Sequence, residues 1–207
     1  MASTYGFLVD ASRCTGCKTC VMACKDYNDL DASCAYRRVW DYEGGTWERD
    51  EAGAWTQHVF CYSLSLACNH CEEPVCVQVC PTGAMHKEAN GLVRVDRHVC
   101  VGCGYCELAC PYRAPHVGAD TLQSQKCDGC FDRVGRGEKP LCVEACPLHA
   151  LDFGPMDELR ARDGAVDAIA PLPEPDYTHP CLVVRPPLCA RPVDDREGFV
   201  ANPKEVQ

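Results

Sequence analysis

Sixteen of the chain's twenty cysteines fall into four quartets. Cys14, Cys17, Cys20 and Cys24 are spaced C-x2-C-x2-C-x3-C. Cys68, Cys71, Cys76 and Cys80 have a four-residue middle gap and are followed by Pro81. Cys100, Cys103, Cys106 and Cys110 keep the compact spacing before Pro111. Cys127, Cys130, Cys142 and Cys146 precede Pro147, with the middle gap stretched to eleven residues. The bacterial ferredoxin run is C-x2-C-x2-C-x3-C-P, and its last cysteine ligates the other cluster. The reason is geometric: three cysteines on a tight loop reach three irons of one cubane. The fourth sits beyond a short helical turn and faces away from that cube. Gly16, Gly102 and Gly129 precede the second cysteine of three motifs. A missing Cβ there permits a positive φ and lets backbone N–H groups approach the sulfides. Those contacts, with burial and local charge, set the reduction potential.

Zinc and disulfides compete for the same residues. Zinc takes four ligands in a closed site and does not need three cysteines in close succession with a fourth after a three-residue gap. Disulfide scaffolds belong to secreted chains. Here Met1 to Asp10 (MASTYGFLVD) has neither a basic n-region nor an apolar run of signal-peptide length,. No stretch approaches the eighteen or so apolar residues of a membrane span. The expectation is a chain made in a reducing cytosol, where dense cysteine means metal. A net charge of −10, made more negative by bound clusters, argues against nucleic acid,.

The elements that position these cysteines follow from an internal repeat. Tyr5–Asp10 (YGFLVD) precedes Cys14 by the offset at which Gly91–Asp96 (GLVRVD) precedes Cys100. Cys80–Met85 (CPTGAM) parallels Cys146–Leu151 (CPLHAL). Each unit therefore has a strand before one motif and a strand after another. The match pairs motif one with motif four, and motif two with motif three. Asn90-Gly91, between Met85 and Val95, is a hairpin turn signal,. Short helices are expected through Lys18–Asp26, Cys106–Cys110 and Cys142–Cys146. The fold class is α+β and loop-rich: two pseudo-symmetric ferredoxin-like modules, a β-hairpin insertion and an extended C-terminal tail. In residue ranges, ferredoxin-type segments occupy 4–33 (completed by 121–154), 59–89 and 90–119. The insertion covers 34–58 and the tail, read as partner-binding, covers 155–207.

The aromatic, glycine-containing stretch Tyr36–Tyr62 reads as a hairpin or small sheet, with turns at Gly44-Gly45 and Asp50–Gly53. Trp40, Trp47 and Trp55 read as packing residues, with an interface role as the alternative. Met156–Ala170 begins as a helix; beyond it eight prolines punctuate a tail with little periodicity. Such a tail is expected to be disordered or laid across a partner, with Leu182–Val184 as a short strand. Cys34, Cys61, Cys181 and Cys189 have no partner at cluster spacing and read as small buried hydrophobes. His70, inside the second motif, could donate to a cluster sulfur without being a ligand. Lys18, Lys25, Arg113 and Lys126 flank the motifs, where a positive charge would tune a cluster's potential, but they read first as solvated surface charges.

With the motifs in hand, the sequence resembles the iron–sulfur subunit of anaerobic dimethyl sulfoxide reductase, within the four-cluster subunits that serve molybdopterin oxidoreductases. The carrying stretches are YGFLVDASRCTGCKTC, CNHCEEPVCVQVCPTGAMHK, CVGCGYCELACPYRAP, KCDGCFDRVGRGEKPLCVEACPLHALDFGPMDELR and ANPKEV. The resemblance implies four [4Fe–4S] clusters on iron. Cys14, Cys17, Cys20 and Cys146 would hold the one nearest a molybdopterin catalytic subunit. Cys24, Cys127, Cys130 and Cys142 would hold the second, and Cys68, Cys71, Cys76 and Cys110 the third. Cys80, Cys100, Cys103 and Cys106 would hold the fourth, nearest a quinol-oxidising membrane subunit. Nitrate-reductase relatives carry tryptophan at the position of Cys103 and a three-iron cluster, so Cys103 argues for four irons. Gly104 departs from the family's frequent arginine, which would lower the potential of a cluster close to it.

The resemblance implies a non-catalytic relay that carries electrons from quinol to molybdenum, for dimethyl sulfoxide or a related S- or N-oxide. It would sit peripherally on the cytoplasmic membrane without inserting into it, and would reach the periplasmic face only with an exported partner. Relatives serving thiosulfate or polysulfide share the cysteine pattern, and a free polyferredoxin shuttle is a further rival. An enzyme in its own right is disfavoured by the lack of a dinucleotide fingerprint, P-loop or flavin motif.

Overall fold

A computed structural model describes residues 4–206. Met1–Ser3, part of the N-terminal stretch read above, and Gln207 lie outside the described residues. The fold opens with β1 (Tyr5–Asp10) and α1 (Thr19–Tyr27). Then come β2 (Arg38–Gly44), β3 (Trp47–Arg49), β4 (Trp55–Gln57) and β5 (Phe60–Leu66). The central part holds α2 (Val75–Gln78), β6 (Met85–Lys87), β7 (Val93–Val95), α3 (Tyr105–Ala109), β8 (His116–Val117) and β9 (Ser124–Gln125). α4 (Phe131–Gly135), α5 (Leu141–Glu144), β10 (Leu151–Pro155) and α6 (Met156–Arg160) follow, and the tail adds β11 (Leu182–Arg185) and β12 (Gly198–Val200). Among the described residues no helix is long and apolar enough to cross a membrane.

The repeat is expressed as two equivalent strand pairs. β1 runs antiparallel to β10, with Val9 opposite Leu151 and Tyr5 opposite Pro155. β7 runs antiparallel to β6, with Val95 opposite Met85 and Val93 opposite Lys87. α1 packs on α5 just as α2 packs on α3. The four-residue α2 and α5 each start after a proline, Pro74 and Pro140, and each carries one buried cysteine, Cys76 and Cys142. The backbone enters α1, α3 and α4 through a left-handed residue, Lys18, Gly104 and Cys130 respectively. That turn bends a cysteine loop sharply into its helix, and at Gly104 it falls on the residue type that adopts it without strain.

Between the first two motifs, β2 pairs with β5 from Arg38–Leu66 to Gly44–Phe60, so the hairpin's return strand runs to Leu66. β3 and β4 form a small ribbon at its tip, with Trp47 opposite Gln57 and Arg49 opposite Trp55. All six ribbon residues are exposed, Trp47 and Trp55 by 61% and 62%. This corrects the reading of those two tryptophans as packing residues. A two-stranded ribbon with nothing laid on it has no inside, and only Trp40 is partly buried against the core.

The tail also departs from expectation: it is laid over this protein's own sheets. β11 extends the first sheet by pairing parallel to β1, Phe7 opposite Leu182 and Val9 opposite Val184. β12 pairs antiparallel to β2 on the side away from β5, giving the order β12-β2-β5. Leu182, Val183 and Val184 are at most 2% exposed. Tyr62 donates its hydroxyl to the Ala170 carbonyl at 2.7 Å, and Tyr42 donates to Asp195 at 2.7 Å. The tail lacks periodicity because its strands are only three or four residues long, each using an open edge, that of β1 or that of β2,.

The main core lies where the two three-stranded sheets meet. It includes Phe7, Val9, Val39, Tyr42, Leu64, Leu151, Phe153 and Val184. Smaller buried groups are built largely around cysteines: Cys24, Cys34, Cys68 and Cys127 with Tyr36, and Cys76 and Cys106 with Met85 and Val93.

Candidate metal centres

Asp10 ends β1 and accepts the Ser12 N–H at 3.0 Å, turning the backbone into the first cysteine loop. Burial pushes the Cys14 thiol up; the Gly16 N–H partly offsets this, while Cys20, Cys146 and Cys17 raise it further as charged neighbours. The neighbour from far along the sequence is Cys146, just past the end of α5. Ala150 donates its N–H to Cys146 Sγ at 3.3 Å, and Cys20 Sγ lies 3.2 Å from Ser65 Oγ on β5. Cys24, one helical turn past Cys20, has a different environment. Burial raises its thiol pKa, Cys127, Cys142 and Cys130 add to the rise, and Arg37 opposes it. Gly129 donates to Cys127 Sγ at 3.4 Å.

The other two groups each line a cavity of their own. Cys68, Cys71, Cys76 and Cys110 line one, together with Asn69 and Thr178. Cys80, Cys100, Cys103 and Cys106 line the other, together with Gly102 and Ser124. In the second cavity Met85 donates to Cys80 Sγ and Ser124 to Cys100 Sγ, each at 3.4 Å. Backbone N–H groups thus aim at sulfur in several of the four groups, as expected for sites that stabilise anionic sulfur. Cys17 and Cys103 are the exposed members of their groups.

The electrostatics centre on the third group. Burial opposes ionisation of Cys68, yet His70 and Lys126 bring its thiol down to about 6. Burial disfavours the charged imidazole of His70, and Cys68 and Cys127 favour it. The hydrogen bonding decides: Val93 donates its N–H to His70 Nδ1 at 2.9 Å, which occupies the lone pair a second proton would need, so the ring is neutral and Nε2 carries its proton toward Cys127 Sγ, 4.0 Å away. Burial pushes Cys71 up to about 12 and Cys130 up to about 11. Such thiols lose their protons only to a metal, so binding here is coupled to proton release.

Buried polar atoms supply an independent test of whether iron–sulfur clusters fit. Nε and Nη2 of Arg37 and Nδ2 of Asn69 are buried without a hydrogen-bond partner among the described residues. Orphaned donors of this kind are rare and call for an acceptor. Both residues lie beside the cysteine groups, and a sulfur-rich anion is the acceptor the donor set suggests. The residues therefore fit the group.

Several side chains differ from their sequence reading. Lys126 is buried, not solvated: Nζ donates to the carbonyls of Val93 and Cys127. Cys34 and Cys181 are buried, but Cys61 and Cys189 are exposed and adjacent, with Cys189 Sγ 3.6 Å from the Cys61 carbonyl oxygen. Cys61 is the exposed residue of β5, and Cys189 lies in the part of the tail that passes it. Sequence reasoning missed Arg37, Ser65 and Asn69. Arg37 sits in a polar Tyr-Arg-Arg run that reads as surface, and no local pattern marks it as buried.

Comparison with known proteins agrees with this geometry. A family described as a 4Fe-4S dicluster domain matches residues 59–156, and one described as a 4Fe-4S binding domain matches residues 5–26. The sequence is 55% identical over 206 residues, the full length of both proteins, to the B subunit of anaerobic dimethyl sulfoxide reductase from Escherichia coli. It is 37% identical over 190 residues to the B subunit of polysulfide reductase from Wolinella succinogenes, covering 90% of this protein and 96% of that one. With the thiosulfate reductase electron transfer subunit of Salmonella typhi it shares 38% over 159 residues, 76% of this protein and 79% of that one. Full-length identity above one half, on a scaffold whose two strand pairs and four cysteine groups form ferredoxin-type units, means that the protein belongs to the family of anaerobic dimethyl sulfoxide reductase B subunits and carries 4Fe-4S binding domains.

Proposed function

We propose that the protein relays electrons through four [4Fe–4S] clusters, from a quinol-oxidising membrane subunit to a molybdopterin catalytic subunit that reduces dimethyl sulfoxide or a related S- or N-oxide. Bound, each cluster supplies a one-electron couple. What supports the reading is the cysteine company of each motif: Cys146 is a charged neighbour of Cys14, Cys127 and Cys142 are charged neighbours of Cys24, and Cys68, Cys71, Cys76 and Cys110 line one cavity while Cys80, Cys100, Cys103 and Cys106 line another.

The residues have defined tasks. Cys14, Cys17, Cys20 and Cys146 hold the first cluster; Cys24, Cys127, Cys130 and Cys142 the second. Cys68, Cys71, Cys76 and Cys110 hold the third; Cys80, Cys100, Cys103 and Cys106 the fourth. N–H groups of Gly129, Ala150, Met85 and Ser124 orient and stabilise the sulfurs. The exposed Cys17 and Cys103 mark where electrons leave and enter. Segments 4–33 with 121–154 form one module and 59–119 the other, while 34–58 and 155–207 add surface for the neighbouring subunits. The protein has no catalytic residue of its own and acts at the membrane only through its complex.

Cys146→Ser in the assembled complex tests the crossed ligation. It should convert the first-group cluster to a three-iron form or destroy it, while the cluster of Cys127, Cys130 and Cys142 keeps four cysteines. Redox-titrated electron paramagnetic resonance should show Cys146→Ser resembling Cys14→Ser. Resemblance to Cys127→Ser would overturn the assignment.

A further inference from the structure

Arg37 stands just before β2 and is only 1% exposed. Its Nη1 donates to the Ser65 carbonyl at 2.9 Å and to Ser65 Oγ at 3.2 Å. Its guanidinium carbon lies 4.9 Å from the centroid of the Phe7 ring, and that ring stacks on His70 at 6.2 Å. Nε and Nη2 have no partner among the described residues. A cation taken out of water without a counter-ion costs several kcal/mol even after relaxation. Three of the five N–H donors of a guanidinium sit on those two nitrogens. Something anionic must meet them.

Thiols of two different quartets lie close to Arg37: Ser65, its hydrogen-bond acceptor, reaches Cys20 Sγ, and the adjacent Tyr36 packs in one buried group with Cys24 and Cys127. Burial disfavours its charge, but Cys142, Cys20, Cys127 and Cys24 outweigh that and hold it firmly protonated. Cys20 belongs to the first proposed cluster; Cys24, Cys127 and Cys142 belong to the second. Ser65 adds a directional link. Its Oγ accepts from Arg37, so its single hydroxyl proton is free to point at Cys20 Sγ, 3.2 Å away. A guanidinium is planar, always charged and branched, so one side chain can donate in two directions at once.

We propose that Arg37 is the shared counter-cation of the first and second clusters, donating to sulfur on both sides and raising both reduction potentials together. This rests on the ligand sets proposed above. Reduction adds one negative charge to a cluster, and a fixed positive charge in a low-dielectric interior favours the reduced form. Because the cation faces both groups, it lifts both couples, which keeps one from becoming a trap for the other's electron. Lys126 and His70 lie beside Cys68 of the third group and also reach Cys127 of the second, His70 through Nε2 toward Sγ and Lys126 through Nζ to the carbonyl.

The test uses the purified three-subunit complex, with iron and acid-labile sulfide counted first. About sixteen of each per copy of this subunit are expected for four cubanes. A wild-type complex short of these would refute the cluster reading itself, separately from the role of Arg37. In Arg37→Gln, redox-titrated electron paramagnetic resonance should show the first two couples falling and the other two unmoved. At fixed ambient potential their reduced-to-oxidised ratio should drop at least tenfold, which is 59 mV for a one-electron couple. Arg37→Lys keeps the charge but loses the fork, so it should lower them less. Ser65→Ala should lower the first couple more than the second, and it decides the matter if Arg37→Gln does not assemble. A replete Arg37→Gln complex with unmoved first and second couples, or with all four moved equally, would overturn the proposal. Equal shifts for Gln and Lys would also overturn it, and so would a Ser65→Ala complex that leaves the first couple where it was.

Discussion

Two glycines in the third motif separate backbone strain from steric collision. Gly102 and Gly104 flank Cys103 with φ of +66° and +76°. Alanine at either position must adopt the left-handed conformation, which costs an L-residue roughly 1–2 kcal/mol. At Gly104 nothing lies within 4 Å of an added Cβ, so that is the whole expected penalty. At Gly102 the Cβ would fall 1.9 Å from the Leu122 carbonyl oxygen. Relief requires either the Cys100–Cys103 loop or the Leu122–Ser124 backbone to move by more than an ångström. Overpacking of this kind adds about 1–3 kcal/mol. Moving Leu122 also drags Ser124, whose N–H reaches Cys100 Sγ at 3.4 Å and whose hydroxyl meets Cys106 Sγ at 3.3 Å. Those contacts contribute about 1 kcal/mol each. Gly102→Ala should therefore cost about 4–7 kcal/mol against roughly 1–2 for Gly104→Ala. The assay is anaerobic purification of both complexes, with iron content, the resonance signal of the fourth cluster, and the bleaching of visible absorbance in denaturant. Gly104→Ala should keep all four clusters, and Gly102→Ala should lose the fourth while keeping the rest. Equal resistance and an intact fourth signal in both variants would refute the steric argument.

Two further outcomes are expected. The isolated subunit should not oxidise reduced dye with dimethyl sulfoxide, since substrate chemistry belongs to the partner's cofactor; sustained turnover by the molybdenum-free subunit alone would contradict this. In the tail, Leu182→Ala empties a site that is 2% exposed and should destabilise by about 2–5 kcal/mol,. The fully exposed Leu188 should tolerate alanine within about 0.5 kcal/mol, and equal denaturation midpoints for the two variants would mean that β11 contributes nothing to the core,.

How much of this was legible in the sequence depends on the range of the forces involved. Cysteine spacing is local chemistry: a loop of seven residues presents three thiols or it does not, and Cys14, Cys17 and Cys20 can be read without knowing the fold. The repeat is nearly as local, because Tyr5–Asp10 and Gly91–Asp96 each precede a motif at the same offset. Their partners, Leu151–Pro155 and Met85–Lys87, follow from the same match. The helices after the cysteine loops begin and end within two residues of expectation, since a tight loop leaves little choice of where the next turn starts.

Tertiary structure decided the charges and the tail. Arg37 and Lys126 look like surface residues in any window of sequence, because arginine and lysine are almost never fully buried unless paired. They are buried here because folding gathers thiols from four distant motifs into one region, and no single stretch contains that field. Trp47 and Trp55 look like core residues, yet β3 and β4 project as a ribbon with no second layer to cover them. The tail's sequence announces one strand, Leu182–Val184, which is β11, but neither the edge it joins nor the second strand, β12. Its strands exist because β1 and β2 each leave an edge whose N–H and C=O groups need partners, a requirement written in the modules rather than in the tail,.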